Sequence, residues 1–446
     1  MTASTILAIK PLLEEGKEEE LKGVLSSLHP ADLAEVLAPL DMEDTIKVMS
    51  LMDIQKAADV LVELTETTRD EVARTLPVEQ LSLLVDEMDT DDAADIVAEL
   101  SDDTAIKVLS SMDTEDSQDV RRLLMYGPET AGGLMQTELI KAMDSDTVAD
   151  VVSRIREKSD EVGDIGSIFV VDKIGTFQGQ VSLKDLLLAY PQDTIESLLT
   201  KSPALVLRVD EDQESVAQKF QKYDVKTAPV VDSHNRLLGK VTVDDIMDVV
   251  NEEADKDFYR MAGSSEEELY TIGTLKTAGL RLPWLLFNLG GGLVTSFILA
   301  HFEKSFQAAM ALVAFVPMVM GLAGAVGSQS ATITVRGIAT GRVQKGQLWR
   351  NIIKEQKVSL LLALIFGLFI TLVASYLYGD NLARIGIAIG VSLTCAILVA
   401  ALLGFLTPNF FRAINIDPAL ASGPVVTSMG DVVSLFIYAT VGTTIV

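Results

Sequence analysis

The chain has 446 residues, 48% of them hydrophobic, and a net charge of −28. Such acidity repels nucleic acid and attracts cations. The lone cysteine, Cys395, excludes a disulfide framework and a Cys-based metal site. The charge is uneven: from Leu282 onward nine Lys or Arg face five Asp or Glu, leaving 27 basic and 59 acidic residues before it. A soluble acidic body followed by a membrane domain is expected. No basic, apolar, small-residue leader opens the chain, so no cleaved signal is expected and the body is placed in the cytoplasm.

The first predicted block, 1–130, contains a repeat at a spacing of 60 residues, pairing Ala31–Asp53 with Asp91–Asp113. Ala34, Val36, Leu40, Val48 and Met52 recur as Ala94, Ile96, Leu100, Val108 and Met112. Apolar residues at three- and four-residue steps, each run tending to follow Asp or Ser, describe short amphipathic helices stacked as a superhelical solenoid. The second block, 131–250, repeats as well. Ser167-Ile-Phe-Val-Val-Asp172 matches Thr227-Ala-Pro-Val-Val-Asp232, and Gly179-Gln-Val-Ser-Leu-Lys-Asp185 matches Gly239-Lys-Val-Thr-Val-Asp-Asp245. Each copy reads as strand, turn, strand and a helix starting near a Ser or Thr cap. This resembles a pair of CBS domains, and the resemblance implies an α+β fold that can hold ATP or another adenine nucleotide at the Gly-x-Val-Ser/Thr stretch. The segment 251–280 is read as a connecting helix, with Glu252–Gly279 lying along the membrane face.

Five membrane spans are expected in 281–446. Leu282–Phe302, Ser305–Val335, Val358–Gly379 and Ile385–Phe411 carry no Asp, Glu, Lys or Arg, and each is long enough to cross a hydrocarbon core of about 30 Å. The fifth, Pro418–Val446, carries Asp431 alone. Arg336, Arg342, Lys345, Arg350, Lys354 and Lys357 lie between the second and third spans, which puts that loop and the amino-terminal body inside and Val446 outside. A carboxylate at the bilayer centre costs about 2.5–3.5 kcal/mol, so Asp431 reads as a cation site in a watery path. The second span adds Gly321, Gly324, Gly327, Ser328, Gln329, Ser330 and Thr332, and the fifth adds Ser422, Gly423, Thr427, Ser428 and Gly430. Small residues alone suit close helix packing. The serial polar groups suit a cavity, so a pore between the second and fifth spans, lined by Ser328 and Thr427, is expected.

The whole order, mostly α, resembles the MgtE family of magnesium channels. Tyr126-Gly-Pro-Glu-Thr-Ala-Gly-Gly-Leu-Met135 joins the helical domain to the first CBS repeat, and Asp257-Phe-Tyr-Arg-Met-Ala-Gly263 lies in the connecting helix. Gly327-Ser-Gln-Ser-Ala331, Val335-Arg-Gly337, Asp417-Pro-Ala-Leu, Gly423-Pro and Asp431 mark the second and fifth spans. The resemblance implies a homodimer in the inner membrane, in contact with lipid, carrying Mg²⁺ into the cell, with Asp431 from each subunit facing the ion. It also implies closure by cytosolic Mg²⁺ at carboxylates matching Asp91, Asp95, Glu214, Asp224, Asp245, Asp248, Glu253, Asp257 and, at the pore mouth, Asp417. Ser328 and Gly423 stand where members often carry Asn, and Lys256 where an acid is expected.

Other readings are weaker. A CBS-bearing metalloprotease needs His-Glu-x-x-His, but His29, His234 and His301 are scattered, and neither a Gly-x-Ser-x-Gly elbow nor a P-loop is present. No enzyme is expected. An aspartate without buried Lys or Arg disfavours an anion pore. The same architecture carrying Co²⁺, Mn²⁺ or Zn²⁺, or a nucleotide-regulated cation transporter, stays open, since oxygen donors separate these ions poorly.

Overall fold

In the computed structural model the described residues are 9, 11–13, 15, 17–158, 165–201, 203–265, 268, 273–308, 310–343, 345–378, 383–421 and 423–446. They form two units, Met1–Val250 and Asn251–Val446.

The first unit opens with short helices from Glu18–Ser27 to Thr114–Leu123. The apolar steps become one buried stripe: Val36 and its repeat partner Ile96 are 1% and 2% exposed, and Val48 and Val108 are fully buried. Each helix packs mainly on the one two places along, so Pro30–Leu37 meets Ile54–Glu63, which meets Val78–Asp86. That alternation is the expected superhelix. The acidic residues before the runs act as caps where the geometry allows: Asp41 accepts from the Asp44 N–H and Asp53 from the Lys56 N–H, both at 2.9 Å.

The 60-residue repeat of the second block is reproduced strand by strand. Strands β1 (Lys141–Met143), β2 (Ser167–Val171) and β3 (Phe177–Ser182) form one sheet, and β4 (Leu207–Arg208), β5 (Thr227–Val231) and β6 (Leu237–Thr242) the other. In both, the first pair is parallel and the second antiparallel. Ser167 pairs with Ser182 as Thr227 pairs with Thr242, and both copies shift register after the matching Val170 and Val230. The copies are tied at their turns, where the Phe177 N–H donates to Asn235 O and the Leu237 N–H to Gly175 O.

The segment Tyr126–Met135, which joins the helical block to the first CBS copy, also bonds to the second: Ala131 N–H donates to Glu211 O, and Gly132 N–H to Val209 O.

Five long apolar helices stand where the five spans are expected, at Thr274–His301, Met310–Ala339, Leu348–Tyr378, Ala383–Ala413 and Pro424–Ile445. The first, third and fourth helices start before the uncharged stretches, because a helix continues into the headgroup region with its polar end solvated, whereas the second starts later, at Met310. The fifth starts later than expected, since Pro418–Ala421 is a 3₁₀ turn. The connecting helix is also corrected. Val243–Ala262 is one helix that starts directly after β6 and ends at Gly263, whose φ of +75° belongs to the left-handed stop favoured by glycine. The first span's helix begins afresh at Thr274, so Glu252–Gly279 is not a single helix; 266, 267 and 269–272 lie outside the described residues.

Candidate ion path and candidate metal-sensing carboxylates

In the membrane unit Asp431 lies one turn beyond Thr427 on the fifth span, half-buried, with Thr427 exposed. A methyl group added at Gly324 of the second span would stand 3.4 Å from Oδ1 of Asp431. The carboxylate therefore rests where the second span offers no side chain. Ser328, half-buried, is one turn further along. Spans two and five cross in opposite senses, so stepping one turn along each brings Thr427 level with Ser328. The structure thus brings Asp431, Thr427 and Ser328 to one helix pair.

The rest of the polar series is divided between tasks. Ser330 Oγ donates to Ala401 O at 3.0 Å. Gly327 packs on the Ala400 backbone. These residues build the joint between the second and fourth spans, so the close-packing account holds for them and the cavity account does not. Ser428 donates to Oδ1 of Asn288 at 2.6 Å and fastens the first span to the fifth. Ser422 lies outside the described residues.

At the start of the fifth span, Asp417 has both oxygens engaged. Oδ1 accepts from the Ala419 N–H at 2.8 Å, holding the turn, and Oδ2 takes Arg260 of the connecting helix. Asp257 sits on that same helix. Burial first, then the Asp417 and Glu253 charges, raise its carboxyl to about 6 against the pull of Arg260 and Arg336. Glu253 pairs with Lys256 at 3.1 Å. Lys256 and Arg260 thus supply built-in cations beside three of the expected sensor carboxylates.

Gly423 explains itself here. A side chain at that position would collide with the Met261 carbonyl, and Gly263 meets the Pro424 ring. Asn, the residue expected from the resemblance, does not fit while the connecting helix is docked. Replacing Gly423 with Asn is expected to undock that helix and raise protease cleavage within 251–265 at least severalfold. Unchanged cleavage by limited proteolysis would contradict the contact.

In the soluble unit the carboxylates crowd where the helix Thr90–Ala98 faces the second CBS copy. Asp91 is 7% exposed, and its Oδ1 is buried with no hydrogen-bond partner among the described residues. Burial, then Asp92, Asp245 and Asp89, push its carboxyl well up. Burial pushes Asp92 to about 7 and Asp245 to about 6, with Asp89 adding to both and Asp245 to Asp92. Asp245 has a local task too, since Thr242 Oγ1 donates to its Oδ2 at 2.7 Å. Asp95 is raised by burial and restrained by Arg69, and Asp248 is raised by burial and Asp244. Glu214 and Asp224 are not brought together: they lie at opposite ends of the helix Gln213–Tyr223, Asp224 ending it with φ +52°.

Sequence reasoning missed Asp89, Asp92 and Glu138. All three line a cavity of about 900 Å³ together with Asp59, Asp86 and Asp116. Asp89 heads the Asp89-Thr-Asp-Asp92 run, where four residues hold three carboxylates before an apolar face; that density was a usable signal. It also missed Lys240, a buried ammonium whose charge opposes the rise at Asp89. Among the described residues no three acidic, His or Cys groups converge tightly enough to hold a bare ion. An oxygen-only set with an orphaned buried oxygen suits a hydrated divalent cation reached through water, as Mg²⁺ prefers.

A solenoid, two CBS-type sheets and five helices long and apolar enough to cross a membrane define a multi-pass membrane protein with a large helical and CBS-bearing body. Family models match accordingly: "MgtE intracellular N domain" over 28–129, "CBS domain" over 131–192 and 195–252, and "Divalent cation transporter" over 316–441. The chain is 33% identical to the "Magnesium transporter MgtE" of Thermus thermophilus, over 99% of this chain and 98% of that protein. It is 30% identical to its counterpart in Bacillus subtilis, over 98% and 96%. It belongs to the MgtE family of magnesium transporters. Among solved structures, the cytosolic domain of the Mg²⁺ channel MgtE in complex with ATP matches 55% of this chain and 99% of that one, at 33% identity and TM-score 0.52. The soluble part of a magnesium transporter matches 57% and 100%, at 27% identity and TM-score 0.53.

Proposed function

We propose that the protein is a Mg²⁺-selective channel of the inner membrane that carries Mg²⁺ into the cell and closes when cytosolic Mg²⁺ is high. The Asp431 carboxylate lying over Gly324 carries the reading, because it sets an anion between two spans whose facing residues are small or hydroxylic. A homodimer would present two such carboxylates to one ion. Two charges with hydroxyl and backbone oxygens around them suit a hydrated Mg²⁺, which gives up water reluctantly. The basic loop after the second span supports a cytoplasmic amino terminus and a carboxyl terminus outside. No enzyme activity enters this reading.

Gating is assigned to Asp91, Asp92, Asp95, Asp245 and Asp248 in the soluble unit and to Glu253, Asp257 and Asp417 in the membrane unit. Raised carboxyls are destabilised anions, and a cation relieves them as a proton does. Glu214 and Asp224 are kept as sensor candidates from the family resemblance. A bound cation biases a two-state element only if it favours one state, and cluster closure supplies that preference. An adenine nucleotide, ATP included, is proposed as a second ligand of the CBS pair, where Ser182–Asp185 and Thr242–Asp245 set a hydroxyl and a carboxylate at each strand-to-helix corner.

Flux into liposomes with Mg²⁺, Co²⁺, Mn²⁺ and Zn²⁺ offered one at a time tests the ion assignment. Mg²⁺ is expected to pass fastest. Faster entry of Co²⁺, Mn²⁺ or Zn²⁺ would transfer the assignment to that ion.

A further inference from the structure

The third span carries a feature that ion conduction does not use. Arg350, Lys354 and Lys357 recur at steps of four and three near the start of the helix Leu348–Tyr378, so they stand one above another on one face. With Gln347, Asn351 and Ile353 they line a cavity of about 530 Å³. All three cations are exposed, and none joins an ion pair among the described residues. The side-chain nitrogen of Asn351 is buried and has no acceptor among them. A pocket with three positive charges and an idle N–H donor is complementary to an oxyanion.

The same stripe continues as Leu361, Leu364 and Leu368, which are 62%, 55% and 64% exposed. From Lys357 to Leu368 the helix rises about 16 Å, close to one leaflet of a hydrocarbon core about 30 Å thick. Trp349, 79% exposed, stands at the polar end, the usual level of interfacial aromatics. A basic cavity above an apolar strip one leaflet long has the form of a phospholipid. Loop charges suffice to orient a membrane protein and need neither a cavity nor a helical stripe.

We propose that this end of the third span binds an anionic phospholipid, its phosphate held by Arg350, Lys354, Lys357 and the Asn351 amide and one acyl chain laid along Leu361, Leu364 and Leu368. Basic side chains gain from anionic headgroups roughly fivefold in binding each, so three give on the order of a hundredfold.

The test uses the full chain in neutral detergent, titrated with phosphatidylglycerol or phosphatidylcholine, bound lipid being counted by native mass spectrometry. Phosphatidylglycerol is expected to bind at least about tenfold more tightly. The triple variant R350Q/K354Q/K357Q is expected to lose that preference, and K354Q alone to weaken it severalfold while leaving the other basic residues to fix topology. R384Q, at another connection, is the control and is expected to behave as wild type. Equal binding of the two lipids, or an undiminished preference in both the triple and the single variant, would overturn the site. Displacement of the lipid by millimolar inorganic phosphate would also overturn it, assigning the pocket to a soluble oxyanion.

Discussion

Replacing Asp431 with Asn is expected to abolish Mg²⁺ flux while leaving the protein folded. Asn keeps the size of Asp and removes the charge, and the half-buried position against Gly324 accepts it without a clash. A charge-assisted contact is worth about 1.5–3 kcal/mol, so losing two in the proposed dimer lowers flux at least about a hundredfold. The variant is expected to be at least as thermostable as the parent, because an uncompensated carboxylate at membrane depth opposes folding. Wild-type flux in a monodisperse Asn variant would remove the ion path from the second and fifth spans. A companion change at Gly324 separates site from path: Gly324→Val adds bulk beside Oδ1 and is expected to reduce flux with the carboxylate retained.

The second large effect concerns the soluble unit. Asp91, Asp92 and Asp245 all have carboxyls raised by folding, Asp92 to about 7 and Asp245 to about 6. Above the ordinary carboxylate value near 4 the folded state therefore holds protons that the unfolded chain has lost. Stability must then fall as pH rises through the window from about 4 to about 7, the reverse of a salt-bridged aspartate. Metal-free residues 1–250 should melt at a lower temperature at pH 8 than at pH 5. Mg²⁺ at a hundred times its dissociation constant adds about 2.7 kcal/mol per site, or roughly 5–10 °C for a unit of this size. The gain should be present at pH 8 and nearly absent at pH 4.5, where protons already neutralise the cluster. Asp91→Asn with Asp92→Asn should raise the metal-free melting temperature and shrink the Mg²⁺ effect. Melting that ignores Mg²⁺, or that rises steadily with pH across this window, would contradict a metal-sensing cluster here.

Much of this architecture was legible because it repeats or because it is monotonous. The 60-residue spacing between Ser167 and Thr227 reappears as an identical strand register, the matching runs forming strands buried from their second residue onward. Runs nearly free of charge identified all five spans, with helix ends displaced by up to ten residues. The connecting helix was misread because its pattern stays helical past Gly263, and only the φ of +75° there shows where the chain turns. The polar series of the second span was read as one group, although Ser328 and Ser330 face different neighbours; two residues apart on a helix is about 200° of rotation. The carboxylate cluster was half legible. Asp91 and Asp245 lie 154 positions apart, and the part played by Asp89, Asp92, Glu138 and Lys240 emerges only once the solenoid meets the second CBS copy.

Lys256 and Arg260 bring cations to the proposed pore mouth. Arg260 already occupies Asp417, and Lys256 already pairs with Glu253. A cation reaching this mouth competes with tethered charges, so the soluble cluster at Asp91 and Asp245 should dominate sensing.

Mg²⁺ influx through the full-length protein in liposomes, with a membrane potential as the only other driving force and internal Mg²⁺ raised stepwise, tests the account most directly. The account predicts entry down the Mg²⁺ gradient without any coupled ion, suppressed as internal Mg²⁺ rises and restored at high internal Mg²⁺ when Asp91, Asp92 and Asp245 are neutralised together. Entry that requires a proton or sodium gradient, or that proceeds equally at every internal Mg²⁺ concentration, would contradict it.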